Sequence, residues 1–155
     1  WKYFAYEDGA TPDAALEALG SWPVNMPVEI VGDLAFYGDI TAEIALREVH
    51  PQPGTDPFAE TRSNLQGAWV SLEDPQAKMN ISGSENQEIY GTDIMATQYL
   101  QIAENCDQSN GAGPVLIQND PAVREPQCYL IARADGQNLD LIFLSRGNTL
   151  RFARP

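Results

Sequence analysis

Gly67-Ala68-Trp69-Val70-Ser71-Leu72, closed by Glu73-Asp74-Pro75, is where the grammar of this chain changes. Upstream, short apolar runs are broken by prolines. From Gly67 onward, apolar and polar residues alternate in brief runs separated by turn residues. A period of two marks a strand with one buried face. Lys78 to Ser82 follows, with Met79 and Ile81 on one face. Gln87 to Gly91 is short. A longer run places Ile94, Ala96, Leu100 and Ile102 on one face and Tyr99 on the other, and ends at Cys106. Val115-Leu116-Ile117 is the next candidate. Cys128 to Arg133 leads into Asp135-Gly136, a pair that accepts the positive φ of a tight hairpin. Leu139 to Leu144 returns, Arg146-Gly147-Asn148 turns, and Thr149 to Arg154 closes the series. Seven or eight short strands joined by turns predict a mainly β fold, an antiparallel up-and-down barrel or a sandwich.

Working back toward the start, residues 50–64 (HPQPGTDPFAETRSN) carry three prolines, a glycine and little apolar content. They read as a Pro-rich linker. The chain therefore divides into an N-terminal α/β extension at 1–49, a linker at 50–64 and a barrel at 65–155. In the extension, Trp1 to Tyr6 alternates with strand period. Left free it is a sticky edge, so a sheet or a partner is expected to cover it. Thr11-Pro12-Asp13 opens a helix, with Leu16 and Leu19 on its apolar face and Gly20 as its stop. Trp22-Pro23 and Met26-Pro27 force extended backbone. Glu29-Ile30-Val31 reads as strand, and Gly32-Asp33 and Gly38-Asp39 as turns or bends around Leu34-Ala35-Phe36-Tyr37. Ile40, Ala42, Ile44 and Leu46 alternate as in a strand, whereas the Ala/Glu/Leu/Arg composition suits a helix capped by Asp39. The strand reading is preferred.

Of 155 residues, 43% are apolar and 20% charged, the balance of a folded chain. No run approaches the roughly 20 apolar residues that span a bilayer. The net charge of −13 repels phosphate backbones and anionic membrane surfaces, which argues against nucleic-acid binding. The acids are scattered, as on a solvated surface. Cys106 and Cys128 flank a polar loop and belong to no CxxC or Cys/His cluster. Either they close that loop as a disulfide or they are two unpaired buried thiols. The disulfide reading, with a chain that starts at Trp1 rather than Met, favours a periplasmic or secreted protein.

From Leu65 onward the chain resembles the lipocalin-like (calycin) small barrels of bacterial exported proteins. The resemblance rests on Gly67-Ala68-Trp69 opening the first strand, on Trp69, Ser71, Glu73, Asp74 and Pro75 preceding the meander, and on an Arg near the end of the last strand. It implies that Gly67 lets the chain pass closely beneath the barrel and that Trp69 plugs the closed end. It also implies that a guanidinium, from Arg151 or Arg154, covers the indole. Ligand binding inside the barrel is the habit of that family. The late helix of the family has no counterpart here.

Sites of chemistry are sparse. His50 is a lone histidine in the Pro-rich segment, with no nucleophile identified beside it and Asp56 as a possible carboxylate neighbour. Glu73 with Asp74, and Glu85 with Glu88, are paired acids at turns rather than across a cleft. Residues 107–120 hold oxygen ligands without a calcium-loop spacing. Gly111-Ala112-Gly113-Pro114 is a turn, not a phosphate loop. No catalytic residue, metal or cofactor is expected.

Three functions from different classes follow. The first is a non-enzymatic exported binding protein whose barrel holds a small apolar ligand or presents a protein-binding surface. Its inward candidates are Met79, Ile81, Tyr90, Tyr99, Tyr129 and Phe143. The second is an inhibitor or accessory subunit acting through the aromatic anchors Trp1, Tyr3, Phe4, Tyr6 and Trp22, or a homo-oligomer built on them. The third, least supported, is a carboxylate-dependent hydrolase.

Overall fold

The computed structural model describes residues 2–5, 11–22, 26–37, 42–52, 54, 56–109, 113–123 and 125–155. The chain forms two compact units, Trp1–Asp56 and Pro57–Pro155.

In the first unit, strand β1 (Lys2–Phe4), helix α1 (Asp13–Ser21), β2 (Val28–Tyr37) and β3 (Ala42–Pro51) follow in order. The sheet order is β1-β3-β2. β1 lies parallel to β3, with Tyr3 opposite Ile44 and Phe4 opposite Ala45. β3 is the strand that its alternation predicts, with Ala42, Ile44 and Leu46 buried. Gly32-Asp33 is not a turn. β2 runs straight through it, with a register shift at Val31/Gly32. A bulge absorbs the irregularity, and Gly32 is required because a Cβ there would collide with the Ile44 side chain and the Ala45 carbonyl. Helix α1 also departs from expectation. Pro12 holds the N-cap position without a side-chain cap, the helix passes through Gly20, and Leu19 is exposed. Its buried contacts come from Ala15 and Ala18, which pack with Leu46 and Val49 of β3.

The second unit is a closed antiparallel barrel of eight strands. They are β4 (Gly67–Ser71), β5 (Ala77–Ser82), β6 (Glu85–Tyr90), β7 (Asp93–Ala103), β8 (Val115–Asn119), β9 (Gln127–Ala134), β10 (Asn138–Phe143) and β11 (Thr149–Ala153). Each pairs with the next in sequence, and β11 pairs back to β4 through Phe152–Ser71 and Ala153–Val70. Closure leaves the barrel no free edge. The β9–β10 hairpin forms at Asp135-Gly136, where Gly136 has φ 79°. Asp135 Oδ1 accepts the backbone N–H groups of Gln137 and Asn138 at 3.0 and 2.8 Å, which holds its carboxyl down to about 2.

The Pro-rich linker expected over 50–64 is only partly a linker. His50 and Pro51 end β3, and Ala59–Leu65 forms a second helix, α2. Leu65 is buried in the barrel core, and Phe58 packs against it. Asn64 Nδ2 donates to the Ala134 carbonyl at 3.0 Å. Two apolar residues, Phe58 and Leu65, suffice to dock one short helix, and a composition-based reading of 50–64 averages Phe58 away among the prolines.

Candidate functional site

Directly paired residues of neighbouring strands share a face of the sheet, so the register sorts the barrel's side chains into inward and outward sets. Starting from the buried Trp69, the pairings run to Met79, then Glu88, then Ala96. One layer away they run from Gly67 to Ile81, Asn86 and Gln98. On the far wall Leu100 pairs with Gln118 and Gln118 with Gln127, while Leu116 pairs with Tyr129 and Tyr129 with Phe143.

One end of the barrel is sealed by apolar packing and one cation. Trp69 is 0% exposed, and its indole Nε1 donates to the Leu65 carbonyl at 2.8 Å. The Arg154 guanidinium lies over the ring, its Cζ 3.8 Å from the centroid. Its three nitrogens donate to the carbonyls of Gly136, Ala68 and Asn64 at 3.0, 3.0 and 3.1 Å. One side chain thus ties together the β9–β10 hairpin, the start of β4 and the end of α2. Gly67 has φ +95°, and a Cβ there would come 2.9 Å from Arg154 Nη1. A glycine is needed for both reasons. Of the two arginines considered from the sequence, Arg151 is exposed, opposite Asp140 on the outer face.

The other half of the interior is not uniformly apolar. Along β6 the successive inward residues are Asn86, 1% exposed, Glu88, half-buried, and Tyr90, 49% exposed. That column runs from the barrel's depth to its mouth. Asn86 Nδ2 donates to Gln98 Oε1 at 3.2 Å, and Gln118 Nε2 donates to Glu88 Oε1 at 3.1 Å and also to Gln98 Oε1. Tyr129 donates its hydroxyl to Gln127 Oε1 at 2.6 Å. Burial, with the Glu88 carboxylate as a second cause, pushes the Tyr129 hydroxyl up to about 12, so it remains a neutral donor. Half-buried Met79, Phe143 and Leu150 supply apolar surface on the inward face, and Phe143 packs on Tyr129 with ring centroids 5.1 Å apart.

Of the inward candidates taken from the sequence, Met79, Ile81, Tyr90, Tyr129 and Phe143 lie on the inward face. Tyr99 does not. It pairs with Glu85 and Asn119 between the buried Gln98 and Leu100, so it points outward. The polar members Asn86, Glu88, Gln98, Gln118 and Gln127 were missed. Parity pointed to two of them: Gln98 has the parity of Leu100 and Ile102, and Gln118 that of Leu116.

Of the aromatic anchors, half-buried Trp22 packs against the core formed by Ala15, Leu46 and Val49. Trp1 and Tyr6, and the side chains of Tyr3 and Phe4, lie outside the described residues. Cys106 and Cys128 are joined in a disulfide. Glu85 and Glu88 fall on opposite faces of β6 and form no carboxylate pair. Glu73 and Asp74 shape a turn in which Ser71 Oγ accepts both of their backbone N–H groups. His50 sits on β3, not in a loop, exposed and 3.3 Å from Glu48 Oε2. The calcium reading of 107–120 falls partly on 110–112, outside the described residues. Among the described residues no group of three His, Cys, Asp or Glu converges, and no helix is long and apolar enough to cross a membrane.

Comparison with protein-family models, with curated proteins and with solved structures finds no match to this chain.

Proposed function

We propose that this chain is a lipocalin-like binding protein of an exported, periplasmic or secreted setting, and that a small molecule enters its barrel at the end opposite Trp69. The observation that carries the reading is the inward column of β6. Asn86, Glu88 and Tyr90 grade from buried to exposed along one wall, with half-buried Met79 beside Glu88 and half-buried Phe143 also on the inward face. Small-molecule sites are concave and mainly apolar, with a few fixed polar groups. The disulfide is compatible with an oxidising compartment.

The test is occupancy of the interior. Ala96 is inward and pairs with Glu88. The neutral probe N-phenyl-1-naphthylamine is expected to bind wild type saturably, and Ala96→Trp to abolish that binding by filling the space. Ala96→Leu, which intrudes less on the fold, is expected to weaken it. Overpacking of this kind costs about 1–3 kcal/mol, so melting curves accompany both variants. Folded variants that bind the probe as wild type does would refute an interior site.

A second reading places function on the first unit, in a protein-interaction module. β2 is an edge strand, and Leu34, Phe36 and Tyr37 near its end are exposed. Unprotected apolar edges are templates for strand addition. Phe36→Lys is expected to reduce self-association or partner capture measured by mass in solution. A wild-type chain that stays monomeric and captures nothing would dismiss this reading.

A further inference from the structure

The interior hydrogen bonds have a direction, and Glu88 sets it. An ionised carboxylate accepts and cannot donate, so the Gln118 atom bonded to Glu88 Oε1 is the amide nitrogen. That same nitrogen bonds Gln98, which turns Gln98 Oε1 toward it. Asn86 approaches the same oxygen and must present Nδ2. The chain of donors ends there. Asn86 Oδ1 is left buried with no hydrogen-bond partner among the described residues. Native interiors rarely leave such an acceptor unsatisfied.

Three of the polar hydrogen-bond donors that line this wall are spent on neighbouring oxygens. Asn86 Nδ2 and Gln118 Nε2 serve Gln98, Gln118 Nε2 also serves Glu88, and the Tyr129 hydroxyl serves Gln127. Beside the amide nitrogens of Gln98 and Gln127, the interior offers an incoming group two acceptors on β6: the buried, unpartnered Asn86 carbonyl oxygen and the Glu88 carboxylate. They occupy successive inward positions of one strand, Cα atoms about 7 Å apart. One cation with a bond of about 2.9 Å on either side falls within reach of both. An anionic head would meet Glu88 and a chain of net charge −13, whereas a cation is drawn by both.

On the reading that the barrel binds a small molecule, the geometry points to a ligand whose inner end is a donor-bearing cation, a primary ammonium, held between Asn86 and Glu88. Its apolar body lies toward Met79, Phe143 and Tyr90 at the mouth.

Three eight-carbon probes test this on the full chain: n-octylammonium, n-octanol and octanoate, titrated by calorimetry and by displacement of N-phenyl-1-naphthylamine. A hydrogen bond to a charged group is worth roughly a factor of ten or more over its loss. Octylammonium is expected to bind at least tenfold more tightly than octanol, with octanoate weakest. Glu88→Gln is expected to remove most of that preference, weakening octylammonium far more than it weakens octanol. Octylammonium alone is expected to shift the Asn86 side-chain amide resonance. Should Glu88→Gln fold poorly, Glu88→Asp keeps the charge and is expected to retain part of the preference. Equal displacement by all three probes would overturn the ammonium assignment and leave the barrel-binding reading standing. Displacement by none would overturn both.

Discussion

Trp69→Ala is expected to destabilise the barrel unit by about 3–5 kcal/mol, the cost of deleting a large core aromatic and leaving a cavity. The ring is fully buried among Leu65, Ile81, Leu139 and Phe152 of one continuous core. Its removal also strips the Leu65 carbonyl of the indole N–H and leaves the Arg154 guanidinium without the face it covers. For a domain of this size, stability totals about 5–15 kcal/mol, so the change consumes a large share. The midpoint of thermal unfolding should fall by about 15 °C or more. Trp69→Phe keeps most of the ring and loses the N–H, and is expected to cost about 1–2 kcal/mol. Urea titration of the three proteins measures the series. A loss below about 1 kcal/mol for the alanine variant would show that this ring does not close the barrel.

Breaking the Cys106–Cys128 bridge is expected to cost about 3 kcal/mol, from the restored freedom of the unfolded chain across a separation of 22 residues. The bridge ties the segment after β7 to β9. Cys128 and Val115 have outward parity, yet both are buried. Ser145 Oγ donates to Gln108 Oε1 at 2.7 Å, and Pro114 accepts the Ile131 N–H at 3.0 Å. The described ends of this segment are therefore held to β9 and to the turn after β10, a strap that the disulfide pins. The pair Cys106→Ser with Cys128→Ala, chosen so that no hydroxyl is buried at 128, should melt earlier than wild type. Wild-type protein should lose the same amount in reductant. Unchanged melting in both experiments would mean that the strap holds by its packing and hydrogen bonds alone.

The candidate site was half legible in the sequence, for a reason visible in β7. Period two assigns a residue to a face whatever its polarity. Leu100 and Ile102 therefore place Gln98 inside and Tyr99 outside. Reading by polarity reverses both, because an aromatic looks like core and an amide looks like surface. The same substitution of polarity for parity hides Gln118 beside Leu116. On β6 parity has no anchor, since Asn86, Glu88 and Tyr90 contain no aliphatic residue. Only pairing to Ile81 and Met79 on β5 turns that column inward.

Local chemistry was sufficient for the meander. Alternation, Asp-Gly and Gly-Asn turns and the Gly67-Ala68-Trp69 opening specify seven or eight short strands, because strand period and turn dihedrals depend on near neighbours alone. What closes the barrel depends on residues far apart along the chain. Arg154 reaches the Ala68 and Asn64 carbonyls across 86 and 90 positions, and no local pattern names those partners. The docking of helix α2, the attachment of the segment after β7 and the inward amides are likewise settled only when the strands meet. Each depends on which surfaces converge, and convergence is a property of the assembled sheet rather than of any segment within it.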